Sequence, residues 1–479
     1  MQNSVDKTQE LATRPVGQLL WVYALPAVIS QIIASVYSIC DRIFLGQYVG
    51  ALAIAGLSIT MPIMNIIHAF GSLVGAGSSA RMSIVLGRGD HRWAEKILGN
   101  SMLLTFILGF FFLIGGYVFL DQILTMFGAS AETIAYADQY MRIVLPGMFL
   151  TTLTFNLTGL IRATGYPTKS MIIMVTGAVL NIMLDAIFIC ILKLGIAGAA
   201  WATTISMAVG SIWAVTHFIS NKSFVRFQKH AWAPKLYIFR NILAIGISPF
   251  SMNIAASLVV ALLNKQLIRF GGDLAVGAYG IVNTFASFIV MFILGLCMGM
   301  QPIAGYNYGA GKTERLKHVY WLAMKCNVLC GTIGAALACS IPAILLRAFT
   351  NEQSLIEIGV PAMRYLIVMF PIIGYTITNS QFFQSIDKPW IAIVTSLSRQ
   401  VIFLIPMIYL LPAIFLHFNA DGLTGVWVAC TISDVLGAVL AWGLYLTQRA
   451  IFQPGYVAPS RRPRKELGPK DDFKDTSDK

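Results

Sequence analysis

From Val16 onward, long apolar runs alternate with short breaks rich in charge, glycine or proline. Each run holds the roughly 20 residues that a helix needs to cross a bilayer. Taking the breaks as boundaries predicts twelve membrane helices, over residues 16–45, 52–80, 94–120, 134–161, 168–192, 196–219, 239–266, 273–305, 317–346, 355–384, 389–413 and 423–450. The expected fold class is an all-α membrane protein. No basic stretch precedes the first run and no small-residue cleavage site follows it, so it is expected to persist as the first span rather than leave as a signal peptide.

Composition agrees with that pattern. The chain is 57% hydrophobic and 11% charged, whereas soluble domains carry about a quarter charged residues. A net charge of +13 can indicate nucleic-acid binding, but the positions of the cations point to a membrane. Loops after the even spans, with their flanks, hold fifteen Lys and Arg, among them Arg88, Arg92, Lys229, Lys235 and Arg315; loops after the odd spans hold five. The positive-inside bias then places both termini in the cytoplasm. Membrane lipid, not nucleic acid, is the expected partner. Residues 1–15 form a cytoplasmic N-terminus, 220–238 a cytoplasmic linker, and 451–479, with almost nothing apolar after Gly455, a disordered cytoplasmic tail. All seven cysteines fall inside apolar stretches and are expected to be buried free thiols, without the His or carboxylate neighbours of a metal site.

The second half repeats the first. At an offset of 222 residues Gly50-Ala-Leu-Ala53 meets Gly272-Asp-Leu-Ala275, Gly87 and Gly89 meet Gly309 and Gly311, Phe127 meets Phe349, Arg142 meets Arg364, and Pro167 meets Pro389. At 227, Gly195-Ile-Ala-Gly198 meets Gly422-Leu-Thr-Gly425, and Thr204-Ile-Ser206 meets Thr431-Ile-Ser433. Six spans per repeat send both halves into the membrane in the same sense. Two six-helix lobes are expected, an N-lobe over 16–219 and a C-lobe over 239–450, related by a pseudo-twofold axis along the membrane normal. A cleft between such lobes, with rocking that alternates access to it, suits a carrier.

Several segments carry a family resemblance. They are Leu25-Pro26, Asp41-Arg-Ile-Phe-Leu-Gly46, Gly75-Ala-Gly77-Ser-Ser-Ala-Arg81, Leu160-Ile-Arg-Ala-Thr-Gly165 and Gly299-Met-Gln-Pro-Ile-Ala-Gly-Tyr-Asn-Tyr-Gly309. In their order and spacing over residues 15–450 the chain resembles the multidrug and toxic compound extrusion (MATE) transporters, in the bacterial DinF-like branch. The resemblance implies a monomeric exporter in the bacterial cytoplasmic membrane. It would move small organic, often cationic, compounds outward, driven by a proton gradient or a sodium gradient, with no bound cofactor.

Charges inside the spans are the residues most informative about chemistry, because burying them is costly. Asp41 lies toward the outer half of the first span, with Tyr37 one turn before it; Asn181 and Asp185 share a face of the fifth. Two carboxylates brought together can share a proton, or, with an amide and a hydroxyl, can hold sodium through oxygen. The resemblance implies a cation site in the N-lobe formed by Asp41, Asn181, Asp185 and Thr203. The C-lobe lacks the match: Leu263 and Phe403 stand opposite Asp41 and Asn181, and the tenth span has no carboxylate from Pro371 until Asp387. Arg399 and Asp434 form a candidate charge pair there. Polar and soft residues expected on the substrate cleft are Tyr37, Asn156, Gln301, Tyr306, Met61, Met64, Met298 and Met300. His68 is expected to be a hydrogen-bonded interior histidine. A flippase for a lipid-linked precursor is the alternative function, and would line its cleft with several Arg or Lys. An enzyme is not expected: no metalloprotease His pair or hydrolase nucleophile elbow occurs.

Overall fold

The computed structural model describes residues 8–49, 51–130, 132–220, 223–350 and 352–456, and for Arg42 and residues 51–55 the backbone alone. The first seven residues, Gly50, Lys222 and the tail beyond 456, which enter the reading above, lie outside the described residues. The membrane helices are α1 (Val16–Tyr48), α2 (Ala51–Gly87), α3 (His91–Val118), α4 (Ile134–Ala163), α5 (Pro167–Ile191) and α6 (Ile196–Ile219). A 74-residue helical segment, Leu236–Gly309, follows. At 1.5 Å per residue it would extend about 110 Å, over three times the apolar thickness of a bilayer. It breaks at Gly272, where φ is +65°, a conformation glycine adopts without a steric penalty. Its two arms are α7 (236–271) and α8 (273–309). Then come α9 (Thr313–Ser340), α10, which bends by 45° between Gln353–Ile367 and Phe370–Ser385, α11 (Pro389–His417) and α12 (Gly422–Thr447). Among the described residues, twelve spans in two six-helix lobes result, as the hydrophobic pattern predicts.

The outer surfaces are apolar. Phe111 is 68% exposed and Val439 65%, which is unfavourable in water and suited to lipid tails. Inside, the apolar core divides in three. One cluster spans both lobes at the end bearing the basic loops, joining Tyr23, Ile84 and Trp93 to Ile303, Tyr306, Tyr320 and Phe382. The other two are private to the C-lobe, around Trp427, and to the N-lobe, around Tyr140. The lobes therefore hold together at the basic end and stand apart toward the other.

Their contact obeys the sequence repeat. An added Cβ on Gly87 of α2 would overlap the carbonyl oxygen of Tyr306, and one on Gly309 of α8 would overlap that of Ile84. Each of these contacts maps onto the other under the 222-residue offset. We expect Gly309→Ala to cost about 1–3 kcal/mol in this arrangement alone. It should therefore favour a state with the basic end parted. Labelling of Ala76→Cys on the cavity wall, from the basic-loop side and in a cysteine-depleted background, should rise accordingly.

One difference between the repeats is informative. Gly165 ends the α4 turn at φ +96°, and the equivalent position after α10 is Asp387, at φ +62°. Both turns close the same way: Tyr166 N–H donates to Ile161 O at 3.1 Å and Lys388 N–H to Phe383 O at 2.9 Å. An aspartate is less comfortable there than glycine, but its carboxylate reaches across the lobes to Arg81 of α2 at 3.1 Å, with both side chains buried.

The C-terminal expectation needs correction. Residues 451–456 are not disordered: Ile451 and Phe452 are buried in the core at the basic end, where Phe452 meets Tyr320 and Phe382. Their side chains are apolar and lie next to an aromatic cluster.

Candidate functional site: an acidic pair beside an inter-lobe cavity

A cavity of about 930 Å3 lies between the lobes, lined by α1, α2, α4, α5 and α6 from one and α7, α8 and α10 from the other. Its wall is mostly apolar and uncharged polar: Phe155, Phe288 and Met298 alternate with Gln31, Asn65 and Asn253. Among the described lining residues there is no Asp, Glu or Lys, and one Arg, Arg162. The many-cation lining of the flippase alternative is not present there.

Beside this cavity, in the N-lobe, five of the residues singled out from sequence converge. Asn181 and Asp185 lie on α5, one turn apart and fully buried, and Thr203 on α6 is 9% exposed. With the Asn181 amide oriented to satisfy its neighbours, Nδ2 donates to Asp185 Oδ2 at 3.3 Å and Oδ1 accepts from the Thr203 backbone N–H at 3.2 Å. In the opposite orientation Nδ2 donates to Thr203 Oγ1 at 3.3 Å, so Asn181 bridges α5 and α6 either way. Asp41 on α1 is within electrostatic range of Asp185, and both act on Tyr37. Tyr37 is also on the cavity wall, whereas neither carboxylate is among the lining residues.

Local structure positions Asp185. It is the last α-helical residue of α5, and Ala186–Ile191 continue as a π-helix. The wider turn displaces one residue from the regular face, a distortion common at functional sites. Asp185 Oδ1 is buried and accepts no hydrogen bond from the protein. A buried carboxylate oxygen without a donor is expensive unless it holds a proton or a cation. The donor set of two carboxylates, an amide and a hydroxyl fits either.

Tyr140 belongs to this cluster and was not singled out from sequence. It is 2% exposed and adjoins Thr203 within electrostatic range of Asp41 and Asp185. It lies on α4, whose apolar pattern reads as core, and only packing brings it to α1 and α5.

The cavity corrects the expected cleft residues. Tyr37, Gln301 and Met298 line it; Asn156, Tyr306, Met61, Met64 and Met300 do not. Asn156 is fully buried, accepts from Ser78 Oγ at 2.6 Å and donates to Thr105 Oγ1 at 3.0 Å. At the equivalent C-lobe positions Asn327 donates to Thr378 at 2.7 Å. The same α3–α4 tie thus recurs in α9–α10 with donor and acceptor exchanged, which makes it structural. Tyr306 is in the glycine crossing, and Met300 is fully buried in the shared core. Met64 packs against the N-lobe's private cluster. His68, expected to be hydrogen-bonded inside the lobe, instead reaches the cavity wall against the Phe155 ring, 5.6 Å between centroids. Arg399, in the π-helical stretch of α11, pairs with Asp434 of α12 at 2.6 Å. No group of three or more potential metal ligands occurs among the described residues.

A sequence model of the family described as MatE matches residues 26–187 and again 249–410, one copy per lobe. The chain belongs to the MATE family. The two matches begin 223 residues apart, close to the offset at which the repeat aligns. Multidrug export protein MepA of Staphylococcus aureus is 27% identical over 427 residues, 89% of this chain and 93% of that protein. The Staphylococcus haemolyticus protein of the same description is 27% identical over 88% of this chain and 91% of its own. Among solved structures, a MOP-superfamily transporter from Pyrococcus furiosus aligns with a TM-score of 0.87 at 23% identity, over 95% of this chain and all of that one. An outward-facing multidrug resistance MATE transporter aligns with a TM-score of 0.87 at 24% identity, over 94% and 99%. These structures share the two-lobed fold. The family's activity is multidrug export across a membrane, not an enzymatic reaction.

Proposed function

We propose that this MATE protein is a proton-coupled antiporter that exports small organic compounds from a bacterium. It acts as a monomer, multi-pass in the cytoplasmic membrane, with both termini inside. The observation that carries the coupling is the acidic pair: Asp41 and Asp185 lie within electrostatic range of Tyr37, which is on the wall of the cavity that holds the cargo. When the outward-open lobes load a proton there, the buried charge is neutralised and closure becomes favourable; when the cavity faces inward, cargo entry and proton release are coupled through that wall. The basic end, where the lobes meet, is the cytoplasmic side.

A proton is favoured over sodium by the Asn181 amide. With Nδ2 turned to Asp185, the amide offers a donor where sodium needs an oxygen; the opposite orientation would present that oxygen. The two ions therefore require different states of one side chain.

The test is export of a fluorescent dye by vesicles in which one gradient at a time is imposed. A proton gradient alone should drive export, and a sodium gradient at equal pH on both sides should not. Export driven by sodium alone would replace the proton in this reading with sodium at the same four residues.

A further inference from the structure

Arg162 is the one full positive charge on the wall of the cavity among its described lining residues, and no carboxylate shares the wall with it. Its side chain belongs to a residue only 8% exposed. It makes one hydrogen bond, from Nη1 to Ser170 Oγ at 3.1 Å. An arginine has five N–H donors in a planar fork that matches a carboxylate or a sulfonate.

The bland role for Arg162 is that of a helix terminus. It is in the last turn of α4, where a cation complements the helix dipole. The molecule contains its own control for that role. Under the 222-residue offset the equivalent of Arg162 is Gln384, in the last turn of α10, also buried and also on the cavity wall. The C-lobe ends the same helix, with the same turn, on an uncharged residue. The fold therefore does not require a charge here, and the N-lobe carries one on the cavity floor.

We infer that Arg162, with Gln384 facing the same space from the other lobe, forms an anion subsite, and that the preferred cargo is an amphiphile bearing a carboxylate or sulfonate. The apolar body of such a compound fits against Phe155, Phe288 and Met298, and the neutral amides of Gln301 and Gln381, themselves paired at 2.8 Å, offer hydrogen bonds without choosing a charge. A permanent cation finds no carboxylate on this wall; Asp41 and Asp185 are not part of it and are occupied by coupling. This inference rests on the reading of the cavity as the cargo site, and narrows what that cargo is.

Fluorescein and rhodamine 6G share a ring system and differ in the sign of their charge. Their equilibrium binding to the full chain in nanodiscs, with no gradient, is the test. The wild type should bind fluorescein more tightly. Arg162→Gln should weaken fluorescein about tenfold or more, the usual loss for a hydrogen-bonded charge, while rhodamine 6G binds no more weakly than before. Arg162→Lys, which keeps the charge, should retain most of the fluorescein affinity and guards against a folding defect in the glutamine variant. Preference for rhodamine 6G in the wild type, or equal loss of both dyes in Arg162→Gln and Arg162→Lys, overturns the subsite. Dye export by vesicles separates the two readings: binding that follows charge without any export leaves the subsite standing and removes the transporter reading, and export of both dyes that ignores Arg162 removes the subsite alone.

Discussion

Asp185→Asn is expected to lower gradient-driven export by about a hundredfold, the upper range of coupling between two linked sites, and Asp41→Asn to do the same. Dye binding at equilibrium should change little in either variant. Asparagine has nearly the shape of aspartate and removes a buried charge, so the folded protein should be no less stable; thermal unfolding in detergent checks this. The C-lobe offers no reserve. At the position equivalent to Asp41 it has Leu263, 2% exposed and packed in the private C-lobe cluster, and its deep acid, Asp434, is held by Arg399. Full export by both asparagine variants would remove the acidic pair from the mechanism. A loss of export accompanied by an equal loss of dye binding would assign the pair to cargo instead of coupling.

The second large effect belongs to the bridge between Arg81 and Asp387. Breaking a buried ion pair by removing one partner typically costs about 3–5 kcal/mol, because the other charge stays behind. Asp387→Gly is the informative variant. Glycine is the residue at this turn in the N-lobe, where Gly165 has φ +96°, so the backbone is at least as comfortable and only the carboxylate is lost. The variant should favour lobes parted at the basic end, raising labelling of Ala76→Cys from that side. Arg81→Met should act in the same direction, and the double variant should cost less than the two single ones together, with a coupling of about 0.5–3 kcal/mol. Strictly additive single effects would mean that the contact does not hold the lobes. Arg81 and Asp387 were each visible in sequence, as a basic flank and as the first acid after the tenth span. Their pairing across 306 positions was not.

Much of this protein is legible in the chain because a bilayer restricts what a chain can do. A helix is the local solution for an apolar run in lipid, so the runs themselves specify twelve spans, and the 222-residue offset specifies two lobes. Even the 74-residue segment, continuous by hydrogen bonding, carries its division in the Gly-Gly-Asp break at 271–273. The acidic site was legible for the same reason: Asp41 and Asp185 are costly in lipid, so their presence in apolar runs marks them, and one-turn spacing joins Tyr37 to the first and Asn181 to the second.

Identity of a face within the bundle is a different matter. In water, polarity distinguishes surface from core; in a membrane protein both the lipid face and the core are apolar, so Met61, Met300 and Met298 are alike in sequence. Only tertiary packing placed Met298 on the cavity and the other two elsewhere. It likewise turned Asn156 into a tie between helices, added Tyr140 to the acidic cluster, and set Arg162 and Gln384 on one cavity floor. The sequence by itself determined the spans, their duplication and the cost of each buried charge, all properties of single helices. Which side chains share a space depended on how those helices cross, and the glycine contacts that fix the crossing join residues more than 200 positions apart.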